Sequence, residues 1–319
     1  MNQAKLQAFL RLMRPPNLVT ALADILAGAA VAFGLASAGA SPKTISGLLG
    51  LMATHLPLLL LATLGLYGGG VVLNDVFDAE LDARERPERP IPKGVVSVAE
   101  ASYLGGGLLA LGVLAAMWAS ATSGLIAACV AGLAVLYDAW SKHHAWLGPL
   151  NMGLCRGGNL LLGLSLVPAL VPVGAWLVGI PVIYIAAITT VSRGEVHGGN
   201  KANLQLAVGM YALVILSVLS AKTLLAKYVT GTPASGSWLN FLGMAALLAL
   251  LAYFIFPPLF AALRHPEAKR VMKAVKAGVV SLIVLDAALA CGFAGLGWGL
   301  FTLALLPLSR LLARLFAVT

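Results

Sequence analysis

The feature that most constrains this chain is a succession of ten apolar segments. They lie at about residues 18–38, 52–73, 101–119, 121–140, 148–168, 172–191, 203–225, 238–260, 275–294 and 296–316. Each is close to the ~20 residues that an α-helix needs to cross a bilayer. Within lipid the backbone must satisfy its own hydrogen bonds, which leaves only helices or closed barrels. The runs are about twice as long as a barrel strand. The expected fold class is therefore all-α, a polytopic membrane helical bundle, with residues 1–319 forming a single membrane-embedded domain. Composition agrees, since 60% of residues are apolar and 10% charged, against roughly 25% charged in a soluble domain. Nine spans are separated by clear polar breaks. The last two segments are divided only by Gly295 to Gly299 and read either as two spans or as one broken segment.

Charge sets the expected orientation. With the N-terminus inside and strict alternation, seventeen of the 21 Lys and Arg residues fall on inner pieces, and only Lys43, Lys222 and Lys227 fall outside. The positive-inside rule then predicts a protein of the cytoplasmic membrane, with the loops after the second and sixth spans on the cytoplasmic side. The net charge of +9 is accounted for by these loops and by contact with lipid headgroups. No soluble basic domain is present to hold nucleic acid. Cys129, Cys155 and Cys291 are scattered through apolar segments without metal-ligand spacing. They read as small buried side chains. The run Leu18 to Ala38 ends in a signal-peptidase-like Ala-Ser-Ala, but it exceeds the ~7–15 apolar residues of a signal core and reads as a retained span.

One polar stretch stands out against this background. The whole chain has 12 acidic residues, and six of them (Asp75, Asp78, Glu80, Asp82, Glu85, Glu88) fall within 14 positions directly after the second apolar run. Asn74, Asp78 and Asp82 are spaced i, i+4, i+8, so two further turns of the preceding helix would put them on one face. Unpaired carboxylates at that spacing repel by about 0.2–0.5 kcal/mol in water, and by more beside a membrane. A divalent cation reverses the sign. Carboxylate and amide oxygens suit magnesium shared with substrate phosphates. Arg86, Arg89 and Lys93 follow among Pro87, Pro90 and Pro92. The prolines forbid helix and predict an extended turn, which would aim the three cations back at a phosphate. The plain alternative is a solvated helix end with internal ion pairs.

The string Asn74-Asp75-x-x-Asp78-x-x-x-Asp82, followed by Arg86-Pro87-Glu88-Arg89-Pro90-Ile91-Pro92-Lys93-Gly94, resembles the first aspartate motif of the UbiA superfamily of intramembrane prenyltransferases. Arg14-Pro15-Pro16-Asn17 is similar to that family's opening, and Tyr137 with Lys142 to its Tyr-x(n)-Lys pattern. The resemblance covers nearly the whole chain. It implies a helical bundle with a central cavity open to the cytoplasmic side, and transfer of a prenyl group from an isoprenyl diphosphate to a hydrophobic acceptor in the membrane, with magnesium as cofactor.

The family's second aspartate motif is rewritten here. The loop after the sixth span reads Ser192-Arg193-Gly194-Glu195-Val196-His197-Gly198-Gly199-Asn200-Lys201 and contains no aspartate. Two readings stand. Either Glu195, His197 and Asn200 form a weaker second metal site, or Arg193 and Lys201 replace one metal as fixed cations on the diphosphate. His197 also suits a general base. The string is similar to the EboC-like branch of the superfamily.

Polar residues inside spans are functional candidates by default. Asn17 and Asp24 lie two turns apart on the first span, and Arg156 lies with Asn159 on the fifth, where it would pair with Asp24 or Asp286. The resemblance therefore implies catalytic roles for Asp78, Asp82, Arg86 and Glu195. It implies a metal set of Asn74, Asp75, Asp78, Asp82 and Glu195, and a diphosphate set of Arg86, Arg89, Lys93, Lys142, Arg193 and Lys201. Asn17, Asp24, Tyr137, Arg156, Asn159, His197 and Asn200 are candidates for the acceptor or cavity wall. The rival class is a non-catalytic isoprenoid or lipid carrier with a degenerate second metal site. Chain length, acceptor and oligomeric state are open at this level.

Overall fold

The apolar runs form helices, and the polar breaks between them set where each one ends. The computed structural model describes residues 3–193, 199–230 and 238–316. A short amphipathic helix α1 (Gln3–Leu12) leads into α2 (Pro15–Ser37), whose first turn begins on two prolines, residues suited to that position. Next come α3 (Pro42–Phe77), the seven-residue α4 (Ala79–Glu85), α5 (Val98–Ala119), α6 (Ala121–Ala139) and α7 (Leu147–Leu164). After the four-residue α8 (Val171–Gly174) come α9 (Gly179–Ser192), α10 (Lys201–Thr230), α11 (Trp238–Arg264) and α12 (Ala268–Ala294). The chain ends in α13 (Leu296–Leu303) and α14 (Leu305–Leu315).

Among the described residues, nine helical stretches are long and apolar enough to cross a membrane. The protein is an integral, multi-pass membrane protein. The segment expected at 148–168 is α7, which is not among the nine. Asn151, Arg156 and Asn159 lower its apolarity, and it buries all three. The segment expected as a continuous span at 172–191 is broken. Two 3₁₀ turns flank α8, and the regular helix α9 covers only 14 residues. Pro168, Pro172 and Gly174 fall within the break and Gly179 opens α9; proline removes backbone donors and glycine favours non-helical backbone. At the C-terminal end two stretches are long and apolar enough to cross a membrane, Ala268–Ala294 and Leu296–Leu315, the second divided into α13 and α14. Gly295 at φ +98° ends α12 and starts α13, a conformation that excludes most other residues.

The bundle is built around α2 and α12, which pack together and are the most enclosed spans. α2 is rich in alanine, so its neighbours approach closely. Against α7 the contact is backbone to backbone. A β-carbon on Gly28 would lie 2.1 Å from the Leu160 carbonyl oxygen, and one on Gly163 2.4 Å from that of Ile25. α3 and α5 meet in the same way, since a β-carbon on Gly65 would lie 2.5 Å from Leu108 O. At 36 residues α3 is about 54 Å long, well beyond the ~30 Å of a hydrocarbon core. It is therefore long enough to carry its polar C-terminal turn beyond the hydrocarbon core. A separate small core of Ala8, Leu12, Val72, Ile91, Val96 and Ala101 lies under the turn after α4.

Candidate active site

At the end of α3 the expected two further helical turns are interrupted. Asp78 sits between α3 and α4 at φ −91°, ψ 4°, and α4 restarts immediately. The break is small, and Asp75, Asp78 and Asp82 still gather at one end of the bundle, each held by a cation. Arg14 Nη2 donates to Asp75 Oδ1 at 2.7 Å. Arg89 Nη1 bridges Asp75 at 3.2 Å and Asp82 at 2.6 Å. Lys142 Nζ donates to Asp78 Oδ1 at 2.6 Å. Asn74 Nδ2 donates to Asp138 Oδ1 at 2.9 Å, while the second oxygen of Asp138 is buried without a partner among the described residues.

The cations arrive by different routes. Arg14 is the one non-glycine residue at positive φ among the described residues (φ 48°), which turns the chain between α1 and α2. Lys142 lies in the 3₁₀ turn that follows α6. Arg89 belongs to the proline-rich tail, which is not extended as expected. It folds into successive turns, with Lys93 N donating to Arg89 O and Val95 N to Pro90 O, and it reverses at Gly94 (φ 71°). Burial of Ile91 and Val96 against α1 and α3 pins these turns, which leaves Arg89 facing inward and Arg86 and Lys93 exposed.

Below this mouth lies a cavity of about 400 Å³. Its upper wall includes Asn17, Asn74, Tyr137 and Asp138, and deeper in it includes Thr20, Tyr67, Arg156 and Asn159. The remaining lining is mostly apolar, including Leu66, Val130, Ile185 and Leu282. Arg156 donates to Thr20 and to Asp24 Oδ1 (3.0 Å), so the expected ion pair forms with Asp24, and Asp286 lies beside that carboxylate. Asn159 donates to Ala21 O and Asp24 Oδ2. Asp24 therefore works behind the wall and not on it.

The loop after α9 contributes less than its sequence suggests. Glu195 and His197 lie outside the described residues. Arg193 is exposed, donates to the Ala145 carbonyl and stacks over Trp146 (5.6 Å), away from the carboxylates. Asn200 does not line the cavity; its Oδ1 accepts from Ala202 N at the start of α10, an ordinary capping role. Lys201 is exposed. Reading the sequence assigned no role to Arg14, Thr20, Tyr67 or Asp138. For Asp138 the available signal was its place between Tyr137 and Lys142.

Three carboxylates and three cations thus lie at the mouth of a largely apolar chamber inside a polytopic bundle. Residues 25–275 match the UbiA prenyltransferase family, and the chain belongs to it. Digeranylgeranylglyceryl phosphate synthase of Methanosarcina mazei is 33% identical over 163 residues, 51% of this chain and 56% of that protein. The same enzyme of Ignicoccus hospitalis is 32% identical over 201 residues, 61% and 59% of the two chains. The chain thus spans just over half the length of the curated relatives it matches. A solved structure of a digeranylgeranylglyceryl phosphate synthase superposes with a TM-score of 0.61 at 21% identity, over 91% of this chain and 99% of that one. A UbiA homologue from Archaeoglobus fulgidus bound to GPP and Mg2+ superposes at 0.58 with 16% identity, over 93% and 99%. At these identities the structural likeness is one of fold.

Proposed function

We propose that this chain transfers a prenyl group from an isoprenyl diphosphate to a lipophilic acceptor within the membrane, in a magnesium-dependent reaction, as one membrane-embedded unit. The carrying observation is the mouth, where Asp75, Asp78 and Asp82 interleave with Arg14, Arg89 and Lys142 directly above the apolar cavity. The named activity of the archaeal relatives, and the GPP and Mg2+ bound to the A. fulgidus homologue, support the reading. Charge asymmetry supports a mouth on the cytoplasmic side, since Arg14, Arg86, Arg89, Lys93 and Lys142 all lie on pieces assigned there.

The donor chemistry fits magnesium. Asn74, Asp75, Asp78 and Asp82 offer hard oxygens, and Asp138, beside Asn74, adds a buried carboxylate oxygen with no partner among the described residues. Among the described residues no three acidic, His or Cys side chains converge as a closed metal cage. Magnesium commonly takes one or two protein carboxylates and completes its shell with phosphate oxygens and water. When bound, it would neutralise charge on the leaving diphosphate. Arg14, Arg89 and Lys142 do the same from fixed positions, and Arg86 and Lys93 add cations at the rim. The carbon–oxygen bond at C1 breaks with its electron pair leaving on the diphosphate. The apolar wall keeps water from the allylic cation, and the acceptor then bonds to C1 and sheds a proton. In the loop after α9, Glu195 and His197, outside the described residues, and the exposed Lys201 keep their sequence-derived candidacy, whereas Arg193 and Asn200 do not. The EboC-like assignment rests on that loop's string alone.

The test is incubation of the membrane-reconstituted protein with radiolabelled farnesyl or geranylgeranyl diphosphate and membrane lipid extract, with and without magnesium. Prenylated lipid is expected only with magnesium, and Asp78→Ala should reduce it by at least ~100-fold. Equal product from Asp78→Ala and wild type would refute the reading. Tight binding of prenyl diphosphate without consumption would make the protein a carrier.

A further inference from the structure

Asn74 and Asp138 meet across two helices in the upper wall of the cavity, and both line it. Asn74 lies in the last turn of α3 and Asp138 in the last turn of α6. Asn74 Nδ2 donates to Asp138 Oδ1 at 2.9 Å, and four residues further on Lys142 Nζ donates to Asp78 Oδ1 at 2.6 Å. Both bonds join residues 64 positions apart. They are successive rungs in one register between the end of α3 and the end of α6, so the Asn74 side chain is held from a fixed neighbour.

An amide side chain has two unlike ends, a donor and an acceptor. With Nδ2 committed to Asp138, the Asn74 carbonyl oxygen is turned away from that residue. Among the described residues Asn74 Oδ1 has no hydrogen-bond partner, and it keeps accessible surface, whereas Asp138 Oδ2 is enclosed. The bond does not depend on the charge of Asp138. A carboxylate only accepts, and a neutral carboxyl group still has a carbonyl oxygen that accepts. Flipped, the amide would present an N–H in place of Oδ1, which a cation cannot use. A free, accessible oxygen one helical turn before Asp78 suits a hard dication. Groups that ligate metals are commonly oriented by a partner that does not itself touch the metal.

We propose that Asp138 is a positioning residue, which holds the Asn74 amide so that Oδ1 is presented to the magnesium of the proposed reaction. The inference rests on the function proposed above and adds the residue that orients one member of its metal set. Asp138 acts through Asn74 and not by touching the cation.

The test uses the full chain in lipid nanodiscs with a saturating thiodiphosphate analogue of geranylgeranyl diphosphate. Thermal unfolding is followed as magnesium is added. Asp138→Leu removes the acceptor and frees the Asn74 amide to rotate, so the magnesium concentration at half-saturation should rise about 10–100-fold. Asp138→Asn keeps an acceptor oxygen and should lie closer to wild type than to Asp138→Leu. Asn74→Ala should also weaken magnesium binding, and adding Asp138→Leu to it should change nothing further. That double variant strands no Nδ2, so it keeps the comparison available if Asp138→Leu alone fails to fold. Equal losses in Asp138→Asn and Asp138→Leu, or a further loss when Asp138→Leu joins Asn74→Ala, would make Asp138 a ligand in its own right and overturn the proposal. Unchanged half-saturation in Asn74→Ala or Asp138→Leu, with only the magnesium-free unfolding temperature lowered, would reduce the bond to a tie between α3 and α6 and overturn it too. No magnesium-dependent shift in the wild type would refute the proposed function itself, whereas a wild-type shift with either overturning result would refute only the role of Asp138.

Discussion

Arg86 and Arg89 occupy equivalent places in the repeated Arg-Pro string, but the structure assigns them different work. Arg89 Nη1 lies 2.6 Å from Asp82 and 3.2 Å from Asp75, whereas Arg86 is exposed. Arg89→Ala leaves Asp82, only 4% exposed, without its cation, while Asp75 keeps Arg14. Removing one partner of a fully buried pair costs about 3–5 kcal/mol. The mouth admits water and the Arg89 side chain is 14% exposed, so about 1–3 kcal/mol is the expected cost. At roughly 2–4 °C per kcal/mol, the apparent Tm in detergent or nanodiscs should fall by about 2–12 °C. Arg86→Ala should stay within about 0.5 kcal/mol of wild type. Asp82→Asn combined with Arg89→Ala should be less damaging than the sum of the two, with a coupling of about 1–2 kcal/mol. If Arg86→Ala and Arg89→Ala destabilise equally, or the double variant is strictly additive, the ion-pair account of the mouth is wrong.

Two further perturbations probe the deep wall. Gly163→Ala places a β-carbon 2.4 Å from a backbone oxygen of α2, so the two helices must part and stretch the Arg156 and Asn159 bonds; thermal scans should show a loss of about 1–3 kcal/mol. Gly132→Ala, with nothing within 4 Å of the new carbon, is the control and should be neutral or slightly stabilising. Arg156→Leu strands Asp24 next to Asp286 and should cost about 3–5 kcal/mol. Adding Asp24→Asn should recover part of that loss in the same unfolding assay.

The spans were legible because a ~20-residue apolar requirement is written directly in composition, and the aspartate cluster because ionised groups at a membrane edge need a reason. The break of the sixth span was present in Pro168, Pro172, Gly174 and Gly179, but an average over hydropathy hides backbone geometry. The role of Arg14 was not legible. Its partner Asp75 is 61 residues away in sequence, and only folding of α2 against α3 brings them together. The division of labour between Arg86 and Arg89 depended on which of Ile91, Pro92 and Val96 found a core under the turn, a tertiary outcome that local spacing does not encode. Asn200 shows the reverse case, a residue placed in the site by family position and used by the fold as a helix cap.

The matched charges at the mouth bear on how the site fills. On the proposed function, Asp75, Asp78 and Asp82, which would grip a dication, are held by Arg14, Arg89 and Lys142, which would grip a phosphate, so these two sets compete until both ligands are engaged. Occupancy by the two ligand components is therefore reciprocal: whatever factor the first contributes to binding of the second, the second returns to the first. A solitary dication or a solitary phosphate meets partners that are already spoken for. On the proposed function, the mouth would therefore fill most readily when a dication and a diphosphate arrive together.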